Sequence, residues 1–307
     1  MRNASVAPSE EHSRAAAQEG RFMNRDITQR IKEALPSFSK GQKRIASVIL
    51  EDYDKAAYMT ASRLGELAGV SESTVVRFAG ELGYDGYPDL QRAVQELVRI
   101  KLTPNQRIAV TNQRIGEGNV LDNVLQSDID KIKYTLENTD RAAFDHAVKL
   151  ILDAKVAYIM GVRNSATLAT FLGHSLQMIS DAVKCVEPSS GSEVFEQILQ
   201  IGPDDVFFAI TFPRYSTKIL KAAKYAKAQG ASVIGLTDSV ASPLAEYADC
   251  LLTAQSDMVS FVDSLVAPLS IINALIVAVT REKQEAVADR FDKLEHIWDE
   301  YDVYNKQ

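Results

Sequence analysis

The sequence predicts an all-α domain followed by an α/β doubly wound parallel-sheet sandwich, and three observations carry that prediction. Over residues 26–102 the apolar positions recur at intervals of three and four, with no strand-like run, which is the period of amphipathic helices. From residue 156 onward, five short apolar runs alternate with amphipathic stretches, as parallel strands buried on both faces do. Between these textures, Thr103 to Asn119 is polar and weakly periodic.

The expected organisation is a disordered tail over 1–20, a helical domain over 21–103, a linker over 104–120 and the sandwich over 121–307. In the helical part, Ile27, Ile31, Ala34 and Leu35 mark a first helix. A second starts near Ser39 and carries Ile45, Val48 and Ile49. Thr60 caps a third with Leu64, Leu67 and Ala68 inside, and Ser71 caps a fourth whose inner face is Val75, Phe78, Ala79 and Leu82. The fifth runs from Tyr87 to about Lys101, with Pro88 in its first turn. Beyond the linker, helices are expected at about 121–138 and 141–153, then strands at 156–160, 182–186, 205–210, 232–237 and 250–254.

In "TASRLGELAGVSESTVVRFAGELGY" the third and fourth helices are joined by "AGVS". Gly69 supplies the left-handed residue that closes one helix, Val70 plugs the core and Ser71 caps the next. That is a helix-turn-helix. With Val75, Phe78 and Leu82 turned inward, Ser73, Thr74 and Arg77 face outward near the N-terminal half of the second helix. There Arg reaches guanine bidentately, and Ser or Thr reaches base edges or phosphate in the major groove. With the capping Thr60 and Ser71 they form the expected DNA-contacting set, and double-stranded DNA is the expected partner.

Charge agrees with this locally. The chain carries a net charge of −7, yet Arg21 to Leu50 holds seven basic residues against two acidic ones, a candidate phosphate-facing surface that the whole-chain balance hides. The two cysteines, Cys185 and Cys250, stand at the edges of apolar segments without a neighbouring metal ligand and are expected to be reduced core thiols in a cytoplasmic protein. No apolar stretch of signal-peptide kind occurs in the first twenty residues, and "SLVAPLSIINALIVAVT", interrupted by Pro268 and Asn273, is expected to be a buried helix. Neither a metal nor a cofactor is expected.

Residues 25–100 resemble the N-terminal domain of the RpiR family of bacterial transcription regulators, most specifically over "GVSESTVVRFAGELGYDGYPDLQ".

Two later loops share one design. "GVRNSATLAT" follows the first strand and "TFPRYSTKIL" the third, so each lies at a strand's carboxyl end, where open α/β sheets bind ligands. Each brings backbone N–H groups and hydroxyls to a helix start, a setting for an anion. Neither is a dinucleotide fingerprint or a Walker loop.

Residues 121–285 resemble the SIS, or sugar isomerase, domain that RpiR regulators carry. The resemblance implies phosphosugar binding through Ser165, Thr211 and Ser216. It also exposes two departures, since Arg163 stands where the family has Gly, and Pro213 and Arg214 replace an inner Ser-Gly. Gaining guanidinium groups favours a planar or bidentate anion, so a sugar acid or other carboxylate joins the phosphate ester as expected effector. The expected ligand set is Ser165, Thr211, Arg214, Ser216, Arg163 and Glu193.

A regulator that senses such a metabolite as a homodimer or homotetramer is the function these features favour, with the helix over 264–280 as one subunit interface. An isomerase is the alternative, with Glu193 or His174 as general base. The third reading is a DNA-binding protein whose second domain serves only oligomerisation.

Overall fold

The computed structural model describes residues 27–101, 103–115, 118–187, 191–257 and 260–303. The expected tail over 1–20 lies outside them. The chain divides between residues 103 and 104 into two compact units.

In its described residues the first unit is built of helices: α1 (Ile27–Ala34), α2 (Lys40–Glu51), α3 (Tyr53–Ala56), α4 (Ala61–Ala68), α5 (Glu72–Glu81) and α6 (Tyr87–Lys101). Ser39 starts α2 with a capping box, its Oγ accepting from the Gln42 N–H while Gln42 Oε1 accepts from the Ser39 N–H at 2.8 Å. Ile31, Ile45, Ile49, Leu64, Val75, Phe78 and Leu90 are buried around one core, and the Phe38 and Phe78 rings meet at 5.1 Å. Two expected core residues are not in it. Leu67 is 53% exposed on α4, and Leu35 leaves α1 for a 3₁₀ turn where it is 38% exposed.

The second unit opens with α7 (Pro104–Ile115), α8 (Val120–Asn138) and α9 (Arg141–Asp153). The stretch expected as linker is therefore mostly a helix. Five parallel strands follow in the order β2-β1-β3-β4-β5, namely β1 (Ala157–Gly161), β2 (Val183–Val186), β3 (Val206–Ile210), β4 (Ser232–Thr237) and β5 (Cys250–Thr253). Between them run α10 (Asn164–Gln177), α11 (Gly191–Gln197) and α12 (Thr217–Ala228), and α13 (Val266–Glu282) and α14 (Gln284–Glu300) follow β5.

Strand alternation builds two cores. Ile159, Phe208 and Ile234 face α9, α10 and α13, while Tyr158, Phe207 and Val233 face α11 and α12. β1 and β3 are buried along their whole length, which explains their unbroken apolar runs. The cysteines separate. Cys250 is buried and its Sγ donates to the Ala143 carbonyl at 2.9 Å, but Cys185 is exposed on edge strand β2 and is no core thiol. Among the described residues, no helix is long and apolar enough to cross a membrane.

Candidate functional site

In the first unit α4 and α5 meet at a tight turn. Gly69 takes φ 63°, ψ 41°, the left-handed conformation that lets the Val70 N–H bond the Gly65 carbonyl at 2.8 Å. Geometry holds position 65 to glycine, because a Cβ there would sit 2.8 Å from the Val70 carbonyl oxygen. Arg44 Nη2 donates to the Gly69 carbonyl at 3.0 Å, tying α2 to the turn.

Val75, Phe78 and Ala79 turn α5 inward, so Ser73 and Arg77 are exposed and Thr74 is half-buried. Ser71 makes no side-chain bond to its own helix backbone. Its Oγ instead lies 2.9 Å from both Ser73 Oγ and Thr74 Oγ1, a hydroxyl cluster at the N-terminus of α5. Arg77 Nε donates to the Ser73 carbonyl at 3.3 Å. Thr60 is exposed, and its hydroxyl accepts from the Arg63 N–H at 3.2 Å. Sequence reasoning passed over Val76, which is 45% exposed on the same face as Ser73 and Arg77. The 73, 76, 77 spacing carries that signal.

In the second unit the strand order reverses between β1 and β3, which makes their carboxyl ends a topological switch point. The loops after these two strands border one cleft of about 580 Å³, open water at its mouth included. Arg163, Ser165, Thr211, Arg214 and Ser216 all line it. Glu193 does not; it is exposed on α11, outside that lining, as His174 is on α10.

Gly161 ends β1 because a Cβ there would fall 2.2 Å from the Ser165 carbonyl oxygen. Arg163 caps α10, so Ser165 is the second residue of that helix rather than its cap. Thr211 is buried and its hydroxyl accepts the Ser216 N–H at 3.1 Å, which folds the second loop back on itself. Ser216 caps α12 without a side-chain bond to that helix. A purely capping role is thus absent for both serines.

The two arginines have unusual backbones. Arg163 has φ 57° and Arg214 φ 67°, and left-handed φ costs an L-residue roughly 1–2 kcal/mol. These are the two positions where glycine was expected from the resemblance. Backbone strain is thus held in both loops of one cleft.

The cleft also contains two charged residues absent from the sequence expectation. Arg107, from α7, is 2% exposed, and its Nη1 lies 2.8 Å from Asp263 Oδ1. Asp263 sits in the segment between β5 and α13, which Ser264 ties to α8 through a 2.7 Å hydrogen bond from its Oγ to Asp128 Oδ1. Among the described residues, no cluster of His, Cys, Asp and Glu has the makings of a metal site.

Comparison with known proteins agrees with both halves. The helix-turn-helix domain model of the rpiR family matches residues 25–99 and the SIS domain model residues 150–278. The chain is 25% identical over 261 residues to the HTH-type transcriptional regulator HexR of Pseudomonas aeruginosa, covering 83% of this chain and 90% of HexR. A sugar isomerase domain of an RpiR transcription factor from Sphaerobacter thermophilus superposes with TM-score 0.54 at 25% identity, over 57% of this chain and 97% of that domain. The Vibrio vulnificus NanR protein complexed with ManNAc-6P superposes with TM-score 0.57 at 21% identity, over 91% of this chain and all of NanR. With a reader helix in one unit, a switch-point cleft in the other and both family models on the matching segments, the chain belongs to the RpiR family of helix-turn-helix transcriptional regulators that carry a SIS domain.

Proposed function

We propose that this regulator binds operator DNA through Ser73, Thr74, Val76 and Arg77, and that its cleft binds a sugar phosphate or a sugar acid as effector. The observation that carries the effector reading is the pair of left-handed arginines, Arg163 and Arg214, facing one cleft from two loops. Ser165 and Ser216 add hydroxyls at two helix N-termini, where backbone N–H groups favour negative charge. Arginine forks bind carboxylate and phosphate bidentately, so the cleft suits both head groups. The ManNAc-6P held by NanR is one compound of this class, on a related fold.

On the DNA side, Arg77 is the base reader, Thr60 and the hydroxyl cluster around Ser71 are phosphate contacts, and Lys40 and Arg44 on α2 extend the backbone-contacting surface. A homo-oligomer then presents paired reader helices to paired half-sites. The isomerase alternative loses its candidate bases, since Glu193 and His174 both stand outside the cleft lining.

A thermal-shift panel tests the effector reading, with glucose 6-phosphate, gluconate and 6-phosphogluconate set against neutral glucose. At least one anion raises the melting temperature and glucose does not. No shift with any anion overturns the reading.

A further inference from the structure

We propose that Arg107, paired with Asp263, is a third anion-binding arginine of the cleft, and that the effector takes it over and thereby re-docks helix α7. This rests on the anion-cleft reading above.

Three observations support it. Arg107 lines the same cleft as Arg163 and Arg214 but comes from a different element, the helix that begins at Pro104. Its guanidinium is engaged by Asp263 at 2.8 Å, with side-chain exposures of 2% and 14%, so an entering anion meets a charge that already has a carboxylate. A second anion competes for that fork directly, because carboxylate and phosphate use the same bidentate geometry.

The third observation is how α7 is held. Among its described side chains the buried ones are Arg107 and Thr111, one turn apart, while Ile108 is 37% exposed. A helix normally docks by its apolar face. Among the described side chains the inward ones are a charged and a hydroxyl group, so an ion pair that changes partner alters how this part of the helix is held. Since α6 ends at Lys101 and α7 starts at Pro104, the chain leaves the DNA-binding unit directly into this helix. The effector's differential contact with Arg107 is the kind of interaction a two-state switch needs.

The test compares full-length wild type, Arg107→Ala, Arg107→Lys and Asp263→Asn for binding of whichever of glucose 6-phosphate, gluconate and 6-phosphogluconate shifts the wild type most. Loss of a charge-assisted bond corresponds to roughly a tenfold or greater fall in affinity for Arg107→Ala. Arg107→Lys recovers part of it. Asp263→Asn, which removes the competitor, binds more tightly than wild type. A merely structural pair predicts that all three variants weaken binding, so weaker binding by Asp263→Asn overturns the proposal, as does unchanged affinity in Arg107→Ala. Hydrogen exchange of residues 104–115 provides a second readout: the probe alters it in wild type and not in Arg107→Ala, and an unaltered wild type overturns the re-docking step. If no probe shifts the wild type, the anion-cleft reading fails first and this inference falls with it.

Discussion

Thr211 Oγ1 accepts the Ser216 N–H at 3.1 Å across the second loop of the cleft. One buried hydroxyl thus closes the loop. Thr211→Val keeps the shape and leaves the Ser216 N–H without its partner, at a cost of about 1–3 kcal/mol. Chemical denaturation of the full chain measures that loss. The anion-induced thermal shift falls in the same variant, and a variant of wild-type stability refutes the loop-closing role.

Arg214 offers a sharper separation of stability from binding. At φ 67° glycine is unstrained, whereas alanine keeps the left-handed penalty and removes the guanidinium. Arg214→Gly is therefore expected to be more stable than Arg214→Ala by about 1 kcal/mol. Both lose anion-induced stabilisation to the same extent. Arg163, at φ 57°, behaves alike if strain at these loops serves binding, and paired denaturation curves for Gly and Ala variants check both sites.

Where the side-chain pattern matched the packing, the fold was legible before the structure. The strands around Phe208 and Ile234 announced themselves because burial on both faces requires apolar residues at every position. The same rule hid α7, whose inward residues include Arg107 and Thr111, since periodicity detects apolar faces and no others. Leu67 was misassigned because a 3.6-residue period places it at the edge of the inner stripe, where neighbouring helices decide burial. In the cleft, Arg163 and Arg214 stood out as departures from a known pattern, but the strained backbone that gives them meaning is visible only in three dimensions. Glu193 belonged to the expected set by its place at a helix start, and helix starts alone do not determine which cleft a side chain lines.

The reader helix makes a prediction that distinguishes base readout from backbone attraction. Arg77→Ala is expected to cost about 1–3 kcal/mol on a specific operator and to relax preference at one guanine. Val76 is apolar and 45% exposed beside it, which suits contact with a thymine methyl, and Val76→Ser is expected to relax preference at a thymine. Lys40→Ala, by contrast, weakens binding evenly across sequences and lowers the salt dependence by roughly one counterion. Binding titrations at several salt concentrations, on operator and scrambled DNA, separate the three. Equal losses on both DNAs for Arg77→Ala contradict its role as reader.

Helix α8 is built inside out, and this bears on assembly. Its inward residues include Lys131 at 3% exposure and Thr135 at 5%, with Lys131 Nζ donating to Ser127 Oγ at 2.6 Å and the Thr135 hydroxyl accepting from the Gln255 N–H at 2.9 Å. Its outward stripe is Leu121, Leu125, Ile129, Ile132 and Leu136, exposed by 37–63%. Spacings of three and four residues give a continuous apolar seam of the kind that buries against another helix. The helix over 264–280, expected from sequence as an interface, spends Ile271, Ile272, Leu275 and Val279 on its own core and leaves Val277 outside. Burying each leucine or isoleucine is worth roughly 1.5–3 kcal/mol, so two lysines in the seam remove enough to dissociate a dimer held there. Leu125→Lys with Ile129→Lys is expected to elute as a monomer in size-exclusion chromatography with light scattering, and Val277→Lys to keep the wild-type mass. The reverse outcome places the subunit contact on α13 instead, and with it the geometry by which two reader helices address one operator.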